Sequence, residues 1–145
     1  MDKFVGDAVV CFFGAPVATD DRDHALRAVR MALEMNKRVV NLDEYWRKLG
    51  ARRPLRIRIG VNTGIAMIGS FGSNRRMDYT AIGRQVNLAA RLEVNCEPGK
   101  VLISQSTYEL VRDDIPCIEK GEIKVKGIHH PVKIYSPIDH TESTK

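Results

Sequence analysis

Apolar positions along this chain alternate between two spacings, and each change of spacing marks an element. Leu26, Val29, Leu33 and Val40 recur at helical spacing beside Ala25, Ala28 and Ala32, which predicts an amphipathic helix. Asp20, Asp21 and Asp23 suit its positive end. The helix is expected to run to about Leu49, with Gly50 as its stop. Leu55, Ile57, Ile59 and Val61 then alternate with Arg56, Arg58, Gly60 and Asn62, a strand with one buried face. Asn62-Thr63-Gly64 turns into a second strand at residues 65–70, and residues 72–78 read as a polar loop. A further extended segment ends at Gly83, and a helix follows with Leu88, Ala89, Ala90 and Leu92 around two polar residues, Asn87 and Arg91. At the start of the chain, residues 3–5 and 8–13 read as a hairpin about a tight Gly6-Asp7 turn. Gly14-Ala15-Pro16 breaks the second of these strands. Towards the end, Glu97-Pro98-Gly99 turns into a short strand at 101–103, Ser104 caps a helix at 105–111, and strands follow at about 115–125 and 132–135. The polar stretch from Ser136 reads as loose, with residues 139–145 as its tail. The alternation predicts an α/β (α+β) domain: a mixed or antiparallel sheet with helices on one face.

Composition narrows the function classes. With 145 residues, 43% of them hydrophobic and 28% charged, the chain is one soluble domain or most of one. It has no apolar run long enough to span a bilayer, and residues 1–16 lack the basic region, apolar stretch and cleavage site expected of a secretory leader. Cys11, Cys96 and Cys117 are too few and too scattered for a disulfide framework, which fits a reducing, cytoplasmic setting. Any membrane anchor would belong to a longer parent. No Cys or His pair has zinc spacing, and the His129-His130 dipeptide sits in a predicted loop. The net charge of +5 gathers at Arg47, Lys48, Arg52, Arg53, Arg56 and Arg58, at Arg75-Arg76, and over residues 120–133. A basic surface attracts polyanions, but no strand carries an aromatic RNA-binding signature, and there is no Walker loop. Neither a nucleic-acid module nor a P-loop ATPase is expected. A domain that opens inside a hairpin predicts that sequence lies upstream of Met1.

Asn87 and Arg91 lie four apart, one above the other on a single helix face. An amide and a guanidinium aimed at one point can grip the sugar and phosphate of a nucleotide. The same spacing also describes an ordinary surface helix, so the rest of the chain decides. Four segments stand together: Lys3-Phe4-Val5-Gly6-Asp7, Arg58-Ile59-Gly60-Val61-Asn62-Thr63-Gly64, residues 77–92, and Val125-Lys126-Gly127. Their order and spacing resemble the catalytic domain of class III nucleotidyl cyclases, of the bacterial adenylate cyclase type. The resemblance covers residues 1–138. It implies a ferredoxin-like core and a head-to-tail dimer, here expected as a homodimer, with active sites at the interface. It implies conversion of ATP to 3′,5′-cyclic AMP and pyrophosphate.

The resemblance also assigns roles. Asp7, on the hairpin turn, matches one of two carboxylates that hold a pair of Mg²⁺ or Mn²⁺ ions, hard cations that take oxygen ligands. Lys3 matches the lysine that selects adenine, and Thr80 the second base-reading position. Phe4 and Gly6 fall with them among the substrate-binding residues. Asn87 matches the asparagine that orients the ribose, and Arg91 the arginine that stabilises charge on the reacting phosphate. Lys126 matches the lysine on the terminal phosphates. The family's other metal-binding Asp belongs to a strand upstream of the Lys3 hairpin, so the chain is expected to lack it together with the first strand and helices. That absence raises an alternative: a catalytically incomplete cyclase-like domain that binds nucleotide or pairs with an active partner. Taken singly, Asp7 is explained by turn chemistry and Lys3 and Lys126 by solvated strand positions.

Overall fold

Asp2–Val5 (β1) and Ala8–Cys11 (β2) form the expected hairpin, antiparallel, with Lys3 opposite Val10 and Phe4 opposite Val9. Strand pairing ends at Cys11, short of the expected residue 13. The structure is a computed structural model describing residues 2–5, 8–11, 13, 20–64, 67–73, 76–82, 84–125 and 128–138. The predicted Gly6-Asp7 turn, Lys126 and the tail at 139–145 lie outside the described residues.

The long predicted helix is two helices. Asp21–Asn41 (α1) starts as the acidic cluster requires, with the Asp20 carboxylate accepting from the Asp23 amide at 2.7 Å. It stops at Leu42, whose N–H bonds back to the Val39 carbonyl, and Asp43–Lys48 (α2) begins anew. An ion pair from further along the chain sits beside the break. Arg56 forks onto Asp43, its two terminal nitrogens 2.6 and 2.8 Å from the two carboxylate oxygens. Asp43 and Glu44 open a second helix N-terminus, where acidic residues are favoured. Gly50, at φ 100°, closes α2 in the left-handed region, as expected of a stop.

Of the strand expected from Leu55, Ile59–Val61 (β3) forms. Met67–Ser73 (β4) and Arg76–Ile82 (β5) then pair into an antiparallel ribbon, so the polar loop expected at 72–78 is largely strand. Backbone groups of polar residues make ladder bonds as well as any others. Arg84–Asn95 (α3), Val101–Ser104 (β6), Gln105–Val111 (α4), Cys117–Ile123 (β7) and Val132–Pro137 (β8) complete the order. Ser136 is buried in β8, so the loose segment starts later than its polarity implied.

Four strands make one mixed sheet in the order β3-β6-β8-β7, with β3 parallel to β6 and the other pairs antiparallel. All four residues of β6 are buried, and its side chains alternate between faces. Val101 and Ile103, with Tyr135, pack on Leu26 and Val29 of α1 and Val111 of α4. Leu102, with Ile134, packs on Leu88 and Leu92 of α3. The helices therefore cover both faces of the sheet, where the sequence reading put them on one. Leu92 is wholly buried, and burying such a side chain contributes roughly 1.5–3 kcal/mol. Tyr108 of α4 stacks on Tyr135 at 3.8 Å between ring centroids. Among the described residues no helix is long and apolar enough to cross a membrane.

Candidate active site

The site grows from the end of β3. Gly60 has α3 directly against it: a Cβ there would collide with the Ala89 carbonyl oxygen and lie 2.5 Å from the Glu93 nitrogen. Two residues on, the Asn62 side-chain amide donates to the Gln85 carbonyl and to Gln85 Oε1, both at 2.8 Å. Its carbonyl Oδ1 accepts from the Ser104 hydroxyl at 2.6 Å, with the Ser106 hydroxyl at 3.2 Å. A backbone carbonyl only accepts, so the Gln85 contact fixes which way the Asn62 amide points. A Cβ on Gly64 would strike the Gln85 side chain. Thr63, facing the other way, meets Thr107 hydroxyl to hydroxyl at 2.9 Å, and its carbonyl accepts from Ser106 at 2.8 Å. Ser104 caps α4 by accepting from the Thr107 amide, as its sequence position predicted.

Seated this way, α3 turns Leu88 and Leu92 inward and leaves Asn87 and Arg91 exposed on its outer face. The four-residue spacing thus does what the sequence implied. Among the described residues neither side chain has a hydrogen-bond or ion-pair partner; the Arg91 carbonyl accepts from the Asn95 amide at 2.8 Å. Arg58 and Glu93, 3.6 Å apart, tie the approach to β3 to the same helix. Lys3 and Phe4 lie on β1 and Thr80 on β5, where Thr80 pairs with Gly69. Gly6, Asp7 and Lys126 fall outside the described residues. Asn62 was not singled out by the sequence reading, which took it for a turn residue. The available signal was the density of hydroxyls at Ser104, Ser106 and Thr107, which offers donors for a nearby amide oxygen.

Two thiols lie away from these residues: Cys96 is buried beside Leu92, and Cys117 is half-buried against the α1–α4 cluster. Burial pushes both up from the ordinary thiol value. A cavity of about 430 Å³ lies at the opposite end of the sheet, bordered by Leu33, Asn36, Lys100, Val101 and Pro137, away from Asn87 and Arg91.

The chain matches the adenylate and guanylate cyclase catalytic domain over residues 3–137. It belongs to that family. It is 36% identical to adenylate cyclase 1 of Rhizobium meliloti over 138 residues, which is 94% of this chain and 20% of that protein. Among solved structures it resembles the adenylyl cyclase CyaB from P. aeruginosa, with a TM-score of 0.90 and 50% identity over 95% of this chain and 70% of that one. It also resembles the guanylyl cyclase Cya2, with a TM-score of 0.83 and 36% identity over 94% of this chain and 68% of that one. The chain thus spans about a fifth of the length of its R. meliloti relative.

Proposed function

We propose that this chain supplies an adenylate cyclase site, forming 3′,5′-cyclic AMP and pyrophosphate from ATP. The observation that carries the reading is the pair Asn87 and Arg91: one helical turn apart, exposed, without side-chain partners among the described residues, on a helix packed against glycine. In the reaction the ribose 3′-hydroxyl releases its proton to solvent, its oxygen bonds to the α-phosphorus, the bond from the α-phosphorus to the bridging oxygen of the β-phosphate breaks, and pyrophosphate leaves. Asn87 orients the ribose. Arg91 stabilises the charge that grows on the α-phosphoryl oxygens, and a preorganised guanidinium does this without reorganising at the moment of reaction. Lys126 binds the terminal phosphates. Lys3 and Thr80 read adenine, since an ammonium donates to a ring acceptor and a hydroxyl accepts from the exocyclic amine. The likeness to both an adenylyl and a guanylyl cyclase leaves these two residues as the basis for ATP over GTP.

The family uses divalent ions. When bound, they lower the pKa of the attacking hydroxyl and offset phosphate charge. The carboxylate of Asp7 is the right donor type for Mg²⁺ or Mn²⁺. Among the described residues no three His, Cys, Asp or Glu come together. The roles proposed for this chain's own residues are those of its amides and cations.

An exposed Asn87/Arg91 face needs a second wall to exclude water, which supports a head-to-tail dimer. The test is cyclic AMP formation from Mn-ATP by the purified chain. Arg91→Ala should lower turnover by roughly 10²–10³ while nucleotide binding changes little. Equal losses in turnover and binding would remove the transition-state role. A folded chain with no turnover would point to the incomplete, partner-dependent domain instead.

A further inference from the structure

The segment Gly60-Val61-Asn62-Thr63-Gly64 serves two helices at once, and it does so by alternation. Gly60, Asn62 and Gly64 meet α3, through Ala89, Glu93 and Gln85. Val61 packs into the α1 and α4 cluster, and Thr63 meets Thr107 of α4. Along this run the residues facing α3 are two glycines and one amide. Glycine lets helix and strand backbones touch, and a single Asn spans the remaining gap.

We infer that Asn62 is a positioning residue for the reaction, setting the seat of α3 and through it the reach of Asn87 and Arg91. This rests on the cyclase reading. Its two ends have separate jobs. The amide nitrogen holds the first turn of α3 at the Gln85 carbonyl, two residues before Asn87. The carbonyl oxygen is anchored by Ser104, 1% exposed, and by Ser106, both at the start of α4. Asn62 touches neither substrate nor reacting atoms in this role. It fixes a helix whose outer face does, and displacements near 1 Å from such positions can cost about 10²-fold in rate.

The two ends can be cut separately. Asn62→Asp keeps an acceptor for Ser104 and Ser106 but replaces the donor to Gln85 by an oxygen, so it releases α3 alone. Ser104→Ala removes the anchor on the α4 side. Amide hydrogen exchange on the nucleotide-free chain reads the seat directly. Asn62→Asp should speed exchange in the first turn of α3 by about tenfold or more and leave the α4 first turn as it was, matching a local opening of that helix end. In the cyclase assay the same variant should lose turnover by roughly 10- to 100-fold with the affinity for 3′-deoxy-ATP, which cannot cyclise, within about threefold. Equal acceleration in both helices, or none in either, would overturn the assignment. A loss of analogue affinity matching the loss of turnover would overturn it as well. If the unaltered chain makes no cyclic AMP, the exchange pattern still decides the role of Asn62, and the failure then belongs to the cyclase reading.

Discussion

A single methyl group at Gly60 would be felt across the site. The atoms it would meet are backbone atoms of α3, the Ala89 carbonyl and the Glu93 nitrogen, which no rotamer change can withdraw. Gly60→Ala must therefore push the helix bodily. Overpacking of this kind costs about 1–3 kcal/mol, so calorimetry should show a melting temperature lower by several degrees, at roughly 2–4 °C per kcal/mol for a chain of this size. Turnover should fall with it. Gly64→Ala, which meets the movable Gln85 side chain, should be milder, and a reversed ranking would remove the close-packing explanation. Asn87 and Arg91 are legible in the sequence because helical periodicity alone puts positions four apart on one face. Asn62 is not, because its partners come from α3 and from the β6–α4 junction, and nothing local to Asn62-Thr63-Gly64 announces them. Lys3, Phe4 and Thr80 are legible as strand positions; their chemistry came from the resemblance.

Between elements, the junction of α1 and α2 shows where periodicity misleads. Val40, Leu42, Tyr45 and Leu49 continue a helical pattern past Asn41, yet the chain breaks at Leu42, and Arg56 from beyond α2 holds Asp43 just after the break. The alternation at residues 55–58 misleads as well: β6 begins at Val101, opposite Ile59, and the chain before it turns at Gly99, whose N–H reaches the Ile57 carbonyl at 2.8 Å. A strand needs a partner as well as a pattern. The Arg56 hydrogen bond holds the Asp43 carboxyl below its usual value of 3.8. A carboxyl depressed in the fold adds stability above its unfolded value and loses it as pH falls through the folded one. Asn in place of Asp43 should thus lower the urea midpoint at pH 7, and the gap from the unaltered chain should close as pH drops below about 4. A gap that persists at pH 2 would show that the pair does not carry the effect.

At the scale of the whole molecule, one chain offers a half-open site. Asn87 and Arg91 face outward, and the described cavity is at the far end of the sheet. Two-fold pairing completes such a surface twice, once for each protomer. If Asp7 of one protomer serves the same site as Arg91 of the other, Asp7→Asn and Arg91→Ala chains are each inactive alone and active when mixed. Random pairing in equal amounts gives half mixed dimers with one intact site each, or about a quarter of full activity for a two-fold assembly. A mixture as dead as its parts would place both residues on the same protomer. The path of the chain has a kinetic side as well. Ile59 meets Val101 in a parallel pair, and parallel strands need a crossover, here the β4–β5 ribbon and then α3. The helix that presents Asn87 and Arg91 is therefore also the return stroke that lets the central strand dock. Such long-range pairing is slow to nucleate, so damage to the seat of α3 should also surface during synthesis, as chains that linger with β3 and β6 apart and their apolar faces uncovered.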